Sequence, residues 1–139
     1  DRDFAELCTF VKAARFDWMG VFAYSDESTN QAAHFSGKVP AQVIEHRRRE
    51  LMRLQRNISR SQRRRFVGQR LPILVEGPSD ESDLLWQGRL EGQAPEIDGK
   101  VLINDAAGAS TLCAGDFSTV EITAAQDYDL IGRLTPPLP

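Results

Sequence analysis

The stretch Gly88–Ile103, "GRLEGQAPEIDGKVLI", constrains the fold more than any other part of the chain. It holds a strand, a loop with Ala94-Pro95, an Asp98-Gly99 turn signal and a second strand. Asp and Gly adopt positive φ cheaply, so the spacing predicts a tight hairpin at Asp98-Gly99. The same grammar runs through the chain from Phe66 onward. Leu71, Ile73 and Val75 alternate onto one face of a first strand, and Leu84–Leu90 reads as a second. Val101–Ile103 is a third, Phe117–Ala124 a fourth with Val120 and Ile122 on one face, and Tyr128–Arg133 a fifth. Gly77-Pro78, Gly108 and Gly115-Asp116 supply further turn signals. Pro72 cannot donate to a ladder and so implies an edge or irregular position. Five short strands in about seventy residues predict a small closed barrel of OB-like kind. The tail from Pro136 to Pro139 is expected to fray.

The first 65 residues read differently. Phe4, Leu7, Cys8, Val11 and Ala14 recur at helical spacing, with Asp3 as candidate cap. Trp18–Tyr24, "WMGVFAY", is a short apolar run without alternation. Such a run suits a strand buried on both faces of a parallel sheet. No second strand of that kind lies nearby, so its neighbours are expected N-terminal to Asp1, in sequence that has been cut away. After the polar stretch Ser25–Lys38, a second helix is expected from near Pro40 to about Arg65. Its apolar stripe would be Val43, Ile44, Leu51, Leu54 and Ile58, with arginine on the other faces. Arg63, Arg64 and Arg65 then complement the negative end of the helix dipole.

Charge divides the chain. Residues 1–65 hold thirteen Lys+Arg against eight Asp+Glu, and residues 66–139 hold four against twelve, or +5 and −8. No apolar run approaches the roughly 20 residues that span a bilayer, and no signal-like start is present, so a cytoplasmic protein is expected. Cys8 and Cys113 read as two incidental buried thiols of a reduced protein. Neither His34 nor His46 belongs to a Cys/His cluster, so no metal site built within the chain is expected.

Five segments occur in order that resemble one enzyme family: "ARFDWMGVFAYS" (Ala14–Ser25), "RRRELMRLQRNIS" (Arg47–Ser59), "APEIDG" (Ala94–Gly99), "GDF" (Gly115–Phe117) and "DYDLIG" (Asp127–Gly132). Together they are similar to the C-terminal part of the radical-SAM methylthiotransferases, and most nearly to the RimO branch, which modifies an aspartate of small-subunit ribosomal protein twelve. The resemblance implies an α+β chain. Residues 1–65 would be the C-terminal end (helix, strand, helix) of a radical-SAM α/β barrel. Residues 66–134 would be a five-stranded OB-like TRAM β-barrel, and residues 135–139 a tail. It also implies two 4Fe-4S clusters and S-adenosylmethionine in the full-length enzyme. Iron–sulfur ligation needs closely spaced thiolates, and neither Cys8 nor Cys113 has that spacing. No cofactor ligand is therefore expected within this stretch, and alone it is expected to be inactive. Tyr24, Ser25 and Thr29 would lie near the active-site loop, although Asp26 and Asn30 depart from the family's proline and Gly-Thr pattern.

The resemblance leaves two partner classes. RNA binding wants Lys and Arg along the surface and exposed aromatics for stacking. The barrel is acidic, and its aromatics Phe66, Trp86, Phe117 and Tyr128 are expected to pack in its core or rim. A carboxylate-rich surface repels polyanions and steers basic proteins. The barrel is therefore expected to dock basic ribosomal protein twelve, with Glu76, Asp80, Glu81 and Asp83 as the candidate docking residues. The remaining partner is the N-terminal remainder of the same enzyme. The alternatives are a tRNA adenosine methylthiotransferase and a standalone RNA-binding TRAM module, both drawing on the arginine-rich second helix.

Overall fold

A computed structural model describes residues 1–106 and 112–136. The turn signal at Gly108 and the tail residues 137–139 lie outside the described residues. The chain forms two compact units, Asp1–Ile58 and Ser59–Pro139.

The first unit holds α1 (Arg2–Ala14), a 3-10 turn at Gln31–His34 and most of α2 (Ala41–Arg64), whose last residues fall in the second unit. Asp1, not Asp3, is the N-cap residue of α1, and its carboxylate makes no capping bond. Arg47 Nη2 instead holds that carboxylate at 2.7 Å. Asp3 stays in the first turn, where negative charge suits the dipole. Pro40 lies just before α2, and its carbonyl accepts the N–H groups of Val43 and Ile44. Val11, Leu51 and Ile58 make the buried centre, with Phe4, Cys8, Met19, Val21 and Leu54 packed around them. Leu7 and Val43, expected on these apolar stripes, are exposed, and Ala14 is exposed as well.

Trp18–Tyr24 is not a strand. It runs without regular structure, with Met19 and Val21 half-buried and Phe22 92 % exposed. A strand needs a hydrogen-bonded neighbour for its N–H and C=O groups, and the described residues of this unit contain none. Gln55 Nε2 donates to the Phe16 carbonyl at 2.7 Å and ties the start of the segment to α2.

The second unit is a closed barrel. Its strands are β1 (Arg70–Pro78), β2 (Trp86–Arg89), β3 (Val101–Asp105), β4 (Phe117–Ala125) and β5 (Leu130–Thr135). Around the barrel the order is β1-β2-β3-β5-β4, returning to β1. The β3–β5 pair is parallel and the other four pairs are antiparallel. This is the OB-like architecture that the strand pattern predicts. Alternation fills the interior with Ile73, Val75, Val101, Ile103, Val120, Ile122 and Leu130, and Leu90 completes the core. Burying each such side chain is worth about 1.5–3 kcal/mol. Pro72 lies where β1 is paired with β4 but not yet with β2, whose pairing begins at Leu74. That is the irregular position expected of it.

Several boundaries differ from the sequence reading, and β5 runs Leu130–Thr135 rather than Tyr128–Arg133. The segment before Trp86 is loop, with Leu84 89 % exposed. Gly77-Pro78 is not a turn but the end of β1, where a bulge shifts the register and Gly77 takes φ +131°. Asp98-Gly99 is not a two-residue hairpin. Asp98 closes a wider turn by donating its N–H to the Ala94 carbonyl (3.1 Å) and accepting the Ala94 N–H on its carboxylate (2.8 Å). The positive φ falls on Gly92 and Glu96. Once the Asp98 carboxylate satisfies a backbone donor, the loop no longer needs the tight geometry.

Candidate protein-docking surface

The four candidate carboxylates sit where β1 leaves its bulge and the chain crosses to β2. Ser79 and Ser82 shape this crossing. Ser79 donates its N–H to the Leu85 carbonyl at 2.8 Å. The hydroxyls of Ser79 and Ser82 accept the N–H groups of Glu81 and Leu84, each at 3.2 Å. The loop is thus held by local side-chain bonds while Asp80, Glu81, Asp83 and Leu84 are exposed.

These carboxylates are not one open acidic patch. Lys100, on the loop entering β3, forms ion pairs with Asp80 and, at 3.2 Å, with Glu81. Its Nζ also donates to Gln87 Oε1 at 3.3 Å, and its backbone N–H donates to Asp129 Oδ1 at 2.9 Å. Arg89 Nε lies 3.0 Å from Glu76 Oε1, an ion-pair distance without hydrogen-bond alignment. Glu76 and Asp80 therefore line a polar cleft of about 590 Å³ together with Arg89, Glu96, Lys100 and Asp129. Asp83 is exposed but is not among the lining residues. Glu96 and Asp129 escaped the sequence reading because they come from separate loops. The "APEIDG" segment was the available signal for the first of them.

Hydrogen bonding to Lys100 is the largest influence on Asp80 and holds its carboxyl below the ordinary value, while Asp80 raises Lys100 in turn. A depressed carboxyl contributes stability above its unfolded pKa and loses it as pH falls through the folded one. Lys100→Met is expected to move Asp80 back up toward its ordinary value. Carbon-13 NMR titration of the Asp80 carboxyl checks this, and an unchanged midpoint would refute the pairing.

The unit that carries this surface also includes the end of α2, which tempers its charge. Residues 59–139 hold eight Lys+Arg against twelve Asp+Glu, a net of −4, where residues 66–139 alone give −8. Arg60 pairs with Asp127 at 2.6 Å, and buried Arg63 donates to the Tyr128 carbonyl at 2.7 Å. Arg63 thus does more than complement the helix dipole. Among the barrel aromatics, Phe66 and Trp86 pack against the core. Phe117 does not, being 82 % exposed, because the alternation that turns Val120 and Ile122 inward turns Phe117 outward.

In the first unit, Tyr24 Oη donates to Asp26 Oδ1 at 2.8 Å. Lys38 donates to the same carboxylate oxygen and to the Ala32 carbonyl, and its ammonium stands 5.2 Å from the Tyr24 ring centre. Lys38, first, and Tyr24, second, lower the Asp26 pKa. Tyr24, Asp26 and Lys38 sit on an open, largely apolar cleft of about 710 Å³ with Phe4, Phe22 and Phe35. Ser25 and Thr29 are exposed and do not line it. Asp26 and Lys38 are the residues that join Tyr24 there.

Neither cysteine forms a disulfide. Cys8 is half-buried, and Cys113 is exposed rather than buried as expected. Among the described residues, no group of three His, Cys, Asp or Glu side chains is arranged to hold a metal. Cys8 and Cys113 do not supply the closely spaced thiolates that an iron–sulfur cluster needs. No helix among the described residues is long and apolar enough to cross a membrane.

Residues 67–135 match the TRAM domain family. The chain is 51 % identical over 134 residues to the ribosomal protein uS12 methylthiotransferase RimO of Koribacter versatilis (strain Ellin345), covering 96 % of this chain and 27 % of that protein. It is 50 % identical over 135 residues to the protein of the same name from Solibacter usitatus (strain Ellin6076), covering 97 % of this chain and 29 % of that protein. A third, from Myxococcus xanthus (strain DK1622), is 48 % identical over 134 residues, covering 96 % and 27 %. The chain thus spans less than a third of the length of these curated relatives. The chain carries a closed five-stranded TRAM barrel and is similar to the C-terminal part of proteins named ribosomal protein uS12 methylthiotransferase RimO.

Proposed function

We propose that this chain serves a methylthiotransferase that modifies the ribosomal protein uS12 in the cytoplasm, and that its TRAM barrel docks that basic protein. The likeness to relatives named for this activity supports the reading. The observation that carries it is the barrel's surplus of carboxylates, since such a surface attracts a cationic polypeptide and repels a polynucleotide. Glu76, Asp80 and Glu81 already hold Arg89 and Lys100. In this reading they act as a preset frame, and Asp83 and Glu96 offer the exposed charge. The first unit forms part of the wall of a radical-SAM barrel. Its exposed Phe22 and Phe35 meet the N-terminal remainder of the enzyme, and Tyr24, Ser25 and Thr29 stand near the reaction site. S-adenosylmethionine and the two 4Fe-4S clusters belong to that remainder, where they supply the radical chemistry.

Titration of the full-length protein with purified uS12, at low and at physiological salt, tests the docking role. Binding is expected to weaken as salt rises. Asp83→Asn with Glu96→Gln is expected to weaken it by roughly two- to thirtyfold at low salt, at ~0.2–1 kcal/mol per exposed charge pair. No binding at either salt, or identical binding by the double variant, would remove the docking role. The competing reading, a tRNA adenosine methylthiotransferase, draws on exposed Phe117 as a stacking platform. Nucleotides crosslinked to Phe117, with uS12 leaving the barrel untouched, would favour it.

A further inference from the structure

We propose that the outward face of α2 in the first unit, carrying His46, Arg49, Arg53 and Arg56, binds the phosphate backbone of RNA. The composition of the helix is the first observation. Between Ala41 and Arg64 it holds eight arginines, two glutamates and no lysine. A face that served only solubility would work as well with lysine and with mixed signs. Arginine throughout is the choice for phosphate, because its planar fork matches two phosphate oxygens at once.

These arginines differ in their contacts and in their exposure. Arg47 binds Asp1 and stands over the Phe4 ring, and Arg48 takes Glu45 with two hydrogen bonds. Arg60 and Arg63 serve the second unit through Asp127 and the Tyr128 carbonyl. Arg49, Arg53, Arg56 and Arg64 have exposed side chains, and the first three share a face with His46. Arg49 reaches Glu45 at 2.7 Å yet keeps a side chain that is 74 % exposed. His46 is 78 % exposed and lies 3.8 Å from Glu50.

Register makes these residues a line. Positions 46, 49, 53 and 56 advance by three, four and three residues, which places neighbours about 5–6 Å apart on one helix face. The whole row is about 15 Å long at a rise of ~1.5 Å per residue. Leu51, Gln55 and Ile58 are buried on the opposite side, so packing fixes which way the row faces. His46, Arg49, Glu50 and Arg53 also line a shallow groove of about 380 Å³. Glu50 is the one carboxylate in that groove, and from Leu51 to Arg64 the helix has no acidic residue at all. A backbone laid along the row meets successive cations at a spacing close to its own phosphate repeat.

This site goes beyond the protein-docking reading and stands without it. Filter binding of the full-length protein to two RNAs, a small-subunit ribosomal RNA fragment and a tRNA, across a salt series is the test. The expected result is binding whose logarithm falls linearly with that of the salt concentration. R53Q with R56Q should lower the steepness of that line by about 1.4–1.8, from ~0.7–0.9 per phosphate contact. R53K with R56K should keep it. Both pairs change exposed side chains, and circular dichroism confirms that the helix persists. Tighter binding of either RNA supports the site and tells which source supplies the phosphates. Absence of a complex with both RNAs at low salt, or an unchanged slope in the glutamine pair, overturns the proposal. Because uS12 is absent from the assay, failure here leaves the docking titration unaffected.

Discussion

Ile122→Ala is expected to lower the unfolding free energy of the barrel by about 2–5 kcal/mol, the usual cost of truncating a large buried side chain. Ile122 is fully buried in β4 and belongs to the single cluster that fills the barrel. Its backbone is engaged as well: its carbonyl accepts the Gly68 N–H at 2.8 Å, and its N–H donates to the Gln69 carbonyl at 3.0 Å. Those bonds hold the β4 backbone in place, so the walls cannot easily close over the space left behind. Small domains are stable by only about 5–15 kcal/mol, so the loss is a large share of the total. Urea unfolding followed by circular dichroism measures it. Leu84→Ala is the control, because Leu84 is 89 % exposed and its truncation should stay within about 0.5 kcal/mol. Equal effects from the two changes would contradict the assigned core.

Gly132→Ala is expected to destabilise the barrel by about 1–3 kcal/mol through crowding rather than through a cavity. Gly132 sits in β5 opposite Ile122. A Cβ built there would stand 2.5 Å from Val120 Cγ2 and 2.8 Å from the Glu121 carbonyl oxygen. Both separations are too short for non-bonded atoms. The Val120 side chain has nowhere to retreat in a filled core, and the carbonyl belongs to a paired strand. Removing the Val120 methyl groups should recover part of the loss, because only the carbonyl clash then remains. A double-mutant cycle of Gly132→Ala with Val120→Ala, read from urea midpoints, should therefore show favourable coupling between the two sites. Strict additivity would mean that the two residues do not meet.

Both predictions rest on positions whose inward direction was legible from the chain. Ile73, Val75, Val120 and Ile122 alternate in the sequence and are all buried in the barrel. Period two is a local property of an extended backbone, so it survives whatever the strands pair with. Element ends were less legible. Leu84 and Tyr128 look like strand residues, yet both lie in loops. Their apolar character does not show whether a neighbouring strand is there to continue the ladder. Trp18–Tyr24 failed as a strand for the same reason in stronger form. Helix α2 came through almost unchanged because its hydrogen bonds close within the segment itself.

The candidate site was legible only as composition. Glu76, Asp80, Glu81 and Asp83 stand close together in the sequence, and their density marked the surface. That Lys100 pairs with Asp80 and Glu81, and Arg89 with Glu76, could not be read from spacing. Lys100 lies twenty residues from Asp80, and what brings them together is the pairing of β1 with β2 and of β2 with β3. The sequence by itself thus determined which side chains turn inward, where α2 runs and which half is acidic, since these depend on local periodicity and on counting. The tertiary structure alone decided which of those charges are matched within the fold and which remain for a partner, because electrostatic pairing depends on distances that only strand register sets.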